Sequence, residues 1–275
     1  MASSTQSVRQ AGIGAAEARP SVAPAPSRRG PRSALAFVLP AVVLIAWEVA
    51  ARTGVLRANL MPAPSAVFAS VVELQHQGVL VGHVVATCLR VLAGFALGAL
   101  AGTVLGVVTG RSLVAHALLD PTLQAIRSIP SLAWVPLFLL WLGIQEGSKV
   151  ALIAVGVFFP VYLNLMSGIQ AIDRRLLEVA EMFQYRGAQL ARYVLLPAAL
   201  PAYVTGLRSG LGLGWMFVVA AELMGASRGL GYLMVDGQTT SRPELIMAAI
   251  LLFALLGKLS DLALSRFGER LQRGT

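Results

Sequence analysis

One cysteine, three histidines and 13 acidic residues are all that a 275-residue chain offers for disulfides, metal sites and most catalytic centres. The lone Cys88 excludes an intrachain disulfide and any multi-cysteine metal site; in its apolar surroundings it reads as a small packed side chain. His76, His83 and His116 are scattered, and no H-E-x-x-H occurs, so no metal site is expected. No G-x-x-x-x-G-K-[ST] occurs either, so the chain has no phosphate loop of its own. An intramembrane serine nucleophile would want glycine two residues before the serine, and Leu207-Arg208-Ser209-Gly210 fails that test. No catalytic residue is therefore assigned.

Charge is also scarce. Only 13% of residues are charged, against about 25% in a soluble domain. Hydrophobic residues make up 56% and the mean hydropathy is +0.73. Lipid is the solvent that fits such a chain. The net charge of +9 calls for no nucleic acid, because basic cytoplasmic loops are the usual signature of a membrane protein.

The reading that follows is an all-α, polytopic membrane helix bundle of about six transmembrane helices. A span needs about 20 apolar residues, and the candidates are 34–51, 86–109, 130–144, 148–168, 202–225 and 245–264. Pro130 and Pro136 interrupt the third, and 114–128 before it reads as an amphipathic lead-in helix. Residues 1–32, rich in Ala, Ser, Pro, Gly and Arg, read as a disordered cytoplasmic tail rather than a cleaved signal peptide. Residues 33–275 form the membrane domain. With the N-terminus inside, 15 basic residues fall in cytoplasmic segments and six in outer ones, which predicts both termini in the cytoplasm. In the long outer connection 52–85, a helix over 65–75 is expected after Pro62 and Pro64, with Ser65 as its N-cap.

Gly94, Gly98, Gly102, Gly106 and Gly110 recur every four residues, so they share one helix face and predict a groove for close helix packing. Gly206, Gly210 and Gly214 repeat the device in the fifth span. Charged residues within spans are candidates for function. Glu48, after Trp47, reads as an interface residue, and Arg208 reads equally as a side chain reaching the headgroups or as a pathway residue. For Glu222 two readings stand: it lines a cavity or gate, or it pairs with a neighbouring helix. Asn164 and Tyr162 are likewise either pathway residues or interhelical hydrogen-bond partners.

The cytoplasmic loop, about 169–197, is the most charged connection. Arg174, Glu178, Glu181 and Arg192 punctuate Leu176, Leu177, Ala180, Phe183 and Leu190, which predicts short amphipathic helices ended by Pro197. Without a site of its own, this element suggests docking to a soluble partner. It resembles the loop of bacterial ABC importer permeases, whose pattern is E-A-A, three residues, G, nine residues, I-x-L-P. The chain reads Glu178-Val179-Ala180, three residues, Gln184, nine residues, Val194-Leu195-Leu196-Pro197. Gln184 departs from the family glycine; Gly187 is available to supply the turn instead.

Leu60-Met61-Pro62-Ala63-Pro64-Ser65, Arg90-Val91-Leu92-Ala93-Gly94-Phe95 and Leu195-Leu196-Pro197-Ala198-Ala199-Leu200-Pro201 resemble the nitrate, sulfonate and taurine branch. Pro130-Ser131-Leu132-Ala133-Trp134-Val135-Pro136-Leu137 and the run from Gly156 to Asn164 are most similar to aliphatic sulfonate permeases. The resemblance implies a type I ABC importer permease fold in the bacterial inner membrane. It implies a second permease chain, two cytoplasmic subunits that bind ATP and Mg, and an extracytoplasmic binding protein meeting 52–85 and 226–243. Glu178 would lie in the loop that couples to the ATPase. Taurine, nitrate, bicarbonate or a thiamine precursor are alternative substrates. An ATP-independent carrier would show inverted repeats, and none is visible.

Overall fold

The computed structural model describes residues 32–57 and 59–273, so the tail expected over 1–32 lies outside the described residues up to position 31. The chain divides into two units, Met1–Val43 and Leu44–Thr275. The first is described only over the opening half of α1 (Arg32–Arg52). The second carries everything below.

Its helices are α2 (Pro64–His76), α3 (Leu80–Arg111), α4 (Leu113–Arg127), α5 (Val135–Leu142), α6 (Glu146–Gln170), α7 (Arg174–Met182), α8 (Gly187–Leu190), α9 (Leu196–Ala198), α10 (Leu200–Leu223), α11 (Leu230–Thr239) and α12 (Pro243–Arg273). Among the described residues no strand occurs. Among the described residues four helices are long and apolar enough to cross a membrane: α3, α6, α10 and α12. α3, α6 and α12 overrun the apolar segments read from sequence at both ends, because apolar length measures the lipid crossing and not the helix, while α10 is displaced by two residues toward the N-terminus.

The third expected span, 130–144, is corrected. Residues 131–134 form a 3-10 turn and α5 has 8 residues, about 12 Å of rise, too short to cross on its own. Together with α4, the lead-in helix, this stretch forms a pair bent by 89°. The break falls at Pro130, which has no amide hydrogen and keeps Ile129 from the helical region.

Helix α6 is the central post. Ile153, Val157, Val161 and Leu165, four residues apart, are fully buried. The α3 glycines meet them in register. A Cβ at Gly94 would lie 2.5 Å from Ile153 Cβ, and one at Gly98 would lie 2.8 Å from Val157 Cβ. Gly102, Gly106 and Gly110 meet Val161, Leu165 and Ile169 in the same way. From the other side, Gly206 and Gly210 of α10 sit against Val161 and Val157. Bare glycine faces on both neighbours let two backbones close on α6, so dispersion contacts form without the side-chain entropy cost of interdigitation.

The outer connection also differs from expectation. α2 starts at Pro64 with Ala63, not Ser65, in the N-cap position. Ser65 instead gives its backbone N–H (3.0 Å) and hydroxyl (2.8 Å) to the Glu48 carboxylate, which also accepts from Arg52 Nε at 2.6 Å. Glu48, read as an interface residue, thus supplies the anion at the α2 N-terminus. Leu74 of α2 buries against Leu230, Leu233, Leu245 and Ala249. Arg242 Nη2 donates to Glu73 at 2.7 Å, which holds that carboxyl below its ordinary range and raises the arginine further.

Candidate functional site

Thr87 and Arg90 stand one turn apart on α3, so both point to the same side of a mostly apolar helix. Both are buried, and so is Glu222 near the end of α10. Arg90 Nη1 donates to Glu222 Oε1 at 2.7 Å and to the Arg228 carbonyl at 2.6 Å. Its Nε and Nη2 form a bidentate pair with Glu146, at 2.5 and 2.7 Å. Thr87 Oγ1 donates to Glu222 at 2.8 Å. Glu222 Oε2 accepts the backbone N–H of Gly231 at 2.7 Å, and Thr87 Oγ1 accepts that of Leu230 at 2.9 Å.

The cluster therefore joins α3, α6, α10 and the N-terminus of α11. Glycine is required where α11 arrives. Gly229 has φ +131°, and a Cβ there would lie 2.5 Å from the Glu222 oxygens. Buried charges are tolerable only with paired partners and filled hydrogen-bond sites, and both conditions hold. Of the two readings of Glu222, the geometry is that of pairing with a neighbouring helix. Thr87 and Glu146 were not singled out by sequence, and Arg90 only as part of a family motif; the available signal was the i, i+3 pair of polar side chains inside a long apolar run.

The other candidates lie elsewhere. Tyr162 is buried in α6 and donates from its hydroxyl to Asp120 of α4 at 2.9 Å. Asn164 Nδ2 donates to the Pro160 carbonyl of its own helix at 2.8 Å, and its Cβ faces Gly206. Arg208, read equally as reaching the headgroups or as a pathway residue, is bonded to Asp261 of α12 through two bonds of 2.8 and 3.0 Å.

The loop between α6 and α10 has one face packed and one free. Ala180, Leu190 and Leu195 are buried with Leu165, and Val194 and Leu196 pack partly against them. On the free side Val179, Leu176, Met182 and Phe183 are exposed, and Glu178 lies 3.4 Å from Arg174. The turn after α7 is made at Gln184 itself, with φ +58°, and Tyr185 N–H closes on the Ala180 carbonyl at 3.1 Å. This is the six-to-one bond of a Schellman cap, whose C′ residue is usually glycine. Gly187 has φ +54° as well, but it follows Arg186 at the entry to α8, and does not replace Gln184. A five-residue π turn, Ala191–Leu195, then leads to Pro197 in α9.

The described residues thus form an all-helical core with four helices fit to cross a membrane and a half-packed loop between α6 and α10. Residues 94–273 match the family of binding-protein-dependent transport system inner membrane components, and the chain belongs to that family. Two relatives named as aliphatic sulfonates transport permeases are similar: that of Bacillus subtilis (strain 168) is 42% identical over 82% of each chain. That of Escherichia coli (strain K12) is 38% identical over 82% of this chain and 86% of its own. The taurine transport system permease of Escherichia coli (strain K12) is 32% identical over 84% of this chain and 86% of its own. The chain is thus a multi-pass permease subunit of an ABC transporter, a family that works with an ATP-binding subunit and a substrate-binding protein.

Proposed function

We propose that this permease imports aliphatic sulfonates across the bacterial inner membrane. The observation that carries the reading is the 42% identity, over 82% of each chain, to a relative with that name. The taurine relative is further away at 32%. In this reading two copies of the chain form the membrane unit, with both termini in the cytoplasm, and two ATPase subunits bind ATP and Mg. The binding protein delivers substrate to the outer face around 52–85 and 226–243. Alternation of the helices between inward-open and outward-open states then releases substrate inside.

The loop of Glu178, Val179, Ala180, Gln184, Gly187, Val194, Leu196 and Pro197 couples the ATPase to the helices. Its free apolar side supports this role: Phe183 and Met182 are 70% and 82% exposed beside a core-anchored Ala180. Glu178→Arg inserts normally but recovers less ATPase on co-purification; equal recovery with normal transport refutes the coupling contact. The substrate is tested by growth of a strain lacking only this chain, with an alkanesulfonate as sole sulfur source and sulfate as control. Loss on the sulfonate alone, restored by the intact chain, is expected. Normal growth on both, with no redundant importer present, rejects the substrate.

A further inference from the structure

Most basic residues of the outer segments are neutralised: Arg52, Arg90, Lys149 and Arg242 are each paired with a carboxylate. Arg228, between α10 and α11, is paired with none among the described residues. It lines a cavity of about 390 Å³, within the size of small-molecule sites, about 300–1,000 Å³. The wall comes from two connections: Gly78, Val79, Gly82 and His83 where α2 gives way to α3, and Ser227, Arg228 and Tyr232 where α10 gives way to α11. Residues 78–83 precede the apolar segment 86–109 and residues 227–232 follow 202–225, so the cavity lies outside the lipid-crossing stretches. The wall holds no carboxylate. Gly229 N–H donates to His83 Nδ1 at 3.1 Å, while the Gly229 carbonyl already accepts Leu233 N–H. Nδ1 is therefore the acceptor, and the ring proton sits on Nε2 as a donor. The His83 ring stacks on Tyr232, with centroids 5.6 Å apart and planes 5° from parallel, which fixes both side chains. The Ser227 and Tyr232 hydroxyls have no partner among the described residues. Gly78 and Gly82 have nothing within 4 Å of a would-be Cβ, so their side of the cavity stays open. Asp236, one turn beyond Tyr232, acts on His83 electrostatically but does not line the cavity, and Glu222 is matched by Arg90.

We propose that this cavity binds the sulfonate head of the substrate at the outer face, with Arg228 as the charged contact and His83, Ser227 and Tyr232 as neutral donors. The inference rests on the sulfonate reading for the identity of the anion and on the proposed orientation for the side of the membrane. The two connections that form the wall belong to 52–85 and 226–243, the segments to which the binding protein delivers in that reading. A sulfonate carries three acceptor oxygens and no donor, so a wall of donors without a carboxylate complements it. The guanidinium fork takes two oxygens in parallel, and the neutral donors take the third. A single exposed cation is screened by salt, so the anion is held weakly and can be passed on, as a transfer point requires.

The test uses the assembled transporter in phosphatidylcholine nanodiscs, without the binding protein. In a Cys88→Ser background, Gly82→Cys is labelled by the anionic 2-sulfonatoethyl methanethiosulfonate and by its cationic trimethylammonium counterpart. Gln75→Cys, exposed on α2 outside the cavity, is the control. Gly82→Cys prefers the anionic reagent relative to Gln75→Cys, and butanesulfonate slows its labelling. Arg228→Gln removes the preference and weakens the protection about tenfold, the scale of a charge-assisted hydrogen bond, and Arg228→Lys keeps part of it. Tyr232→Phe, which retains the ring stacked on His83, weakens protection by a smaller factor. Protection that is unchanged by Arg228→Gln, or equal at Gln75→Cys, overturns the proposal. The same Arg228-dependent protection by added phosphatidylglycerol, with none by butanesulfonate, overturns it in favour of a lipid headgroup. No protection, with binding-protein recovery cut by Arg228→Gln, overturns it in favour of a docking contact. Uptake in liposomes separates the two readings: normal sulfonate uptake without protection refutes the cavity alone, and Arg228-dependent protection without uptake refutes sulfonate import while the cavity stands as an anion site.

Discussion

Replacing Gly98 with alanine places one methyl group between α3 and α6. The new Cβ would meet the Ala154 carbonyl oxygen at less than contact distance and lie 2.8 Å from Val157 Cβ. Restoring ordinary contact requires the helices to separate by roughly 1 Å, since neither neighbour is a flexible side-chain tip. Overpacking of this kind costs about 1–3 kcal/mol, and a backbone neighbour puts it at the upper end. Alanine returns up to about 1 kcal/mol as the better helix former, leaving a net loss of about 1–2 kcal/mol. Gly82 is the matched control, in the same helix with nothing within 4 Å of a Cβ. Gly82→Ala therefore keeps the propensity gain alone and is neutral to stabilising. Thermal unfolding midpoints of both variants in lipid nanodiscs separate the two cases. A Gly98→Ala midpoint equal to that of Gly82→Ala refutes the account of the glycine face as a contact surface.

Three further outcomes follow from other contacts. Glu222→Ala leaves Arg90 with one carboxylate and strands Thr87 and the Gly231 amide; it costs roughly 3–5 kcal/mol by the same unfolding assay. Glu222→Gln, which keeps an acceptor for those donors, costs less. Gln184→Gly releases left-handed strain of about 1–2 kcal/mol against the extra unfolded-state freedom of glycine; a slightly raised midpoint is expected, and a lowered one refutes the strain. Finally, Arg242 holds the Glu73 carboxyl below its ordinary 4.5. The stabilisation is present above that value and is lost as pH falls through the lower folded value, because only the ionised carboxylate accepts both charge and hydrogen bond. Acid titration of the unfolding midpoint is therefore shallower in Glu73→Gln than in the wild type; identical slopes remove the contact from the account.

The helical bundle, the four-residue glycine register and the amphipathic loop were all legible in the chain. Each is a short-range pattern: apolar length measures a lipid crossing, and a spacing of four marks one helix face wherever that helix packs. The family resemblance lay in contiguous motifs for the same reason. The glycines did not say which helix they would meet. That partner, the Ile153–Val157–Val161–Leu165 side of α6, exists only after packing.

Pairings across long chain separations left no local trace. Arg90 and Glu222 are 132 positions apart, and Arg208 and Asp261 are 53 apart. Single charges in apolar runs read alike whether they end in headgroups, in a pathway or in an ion pair, because the difference is the dielectric and the partner supplied by other helices. Ser65 and Gln184 show the same limit at the level of the backbone. Serine is a good N-cap and glutamine a poor turn residue by intrinsic preference, yet Glu48 takes the first and the buried side of the loop between α6 and α10 imposes the second. Local chemistry sets the elements and their apolar faces; three-dimensional proximity assigns each charge its partner and each weak preference its outcome.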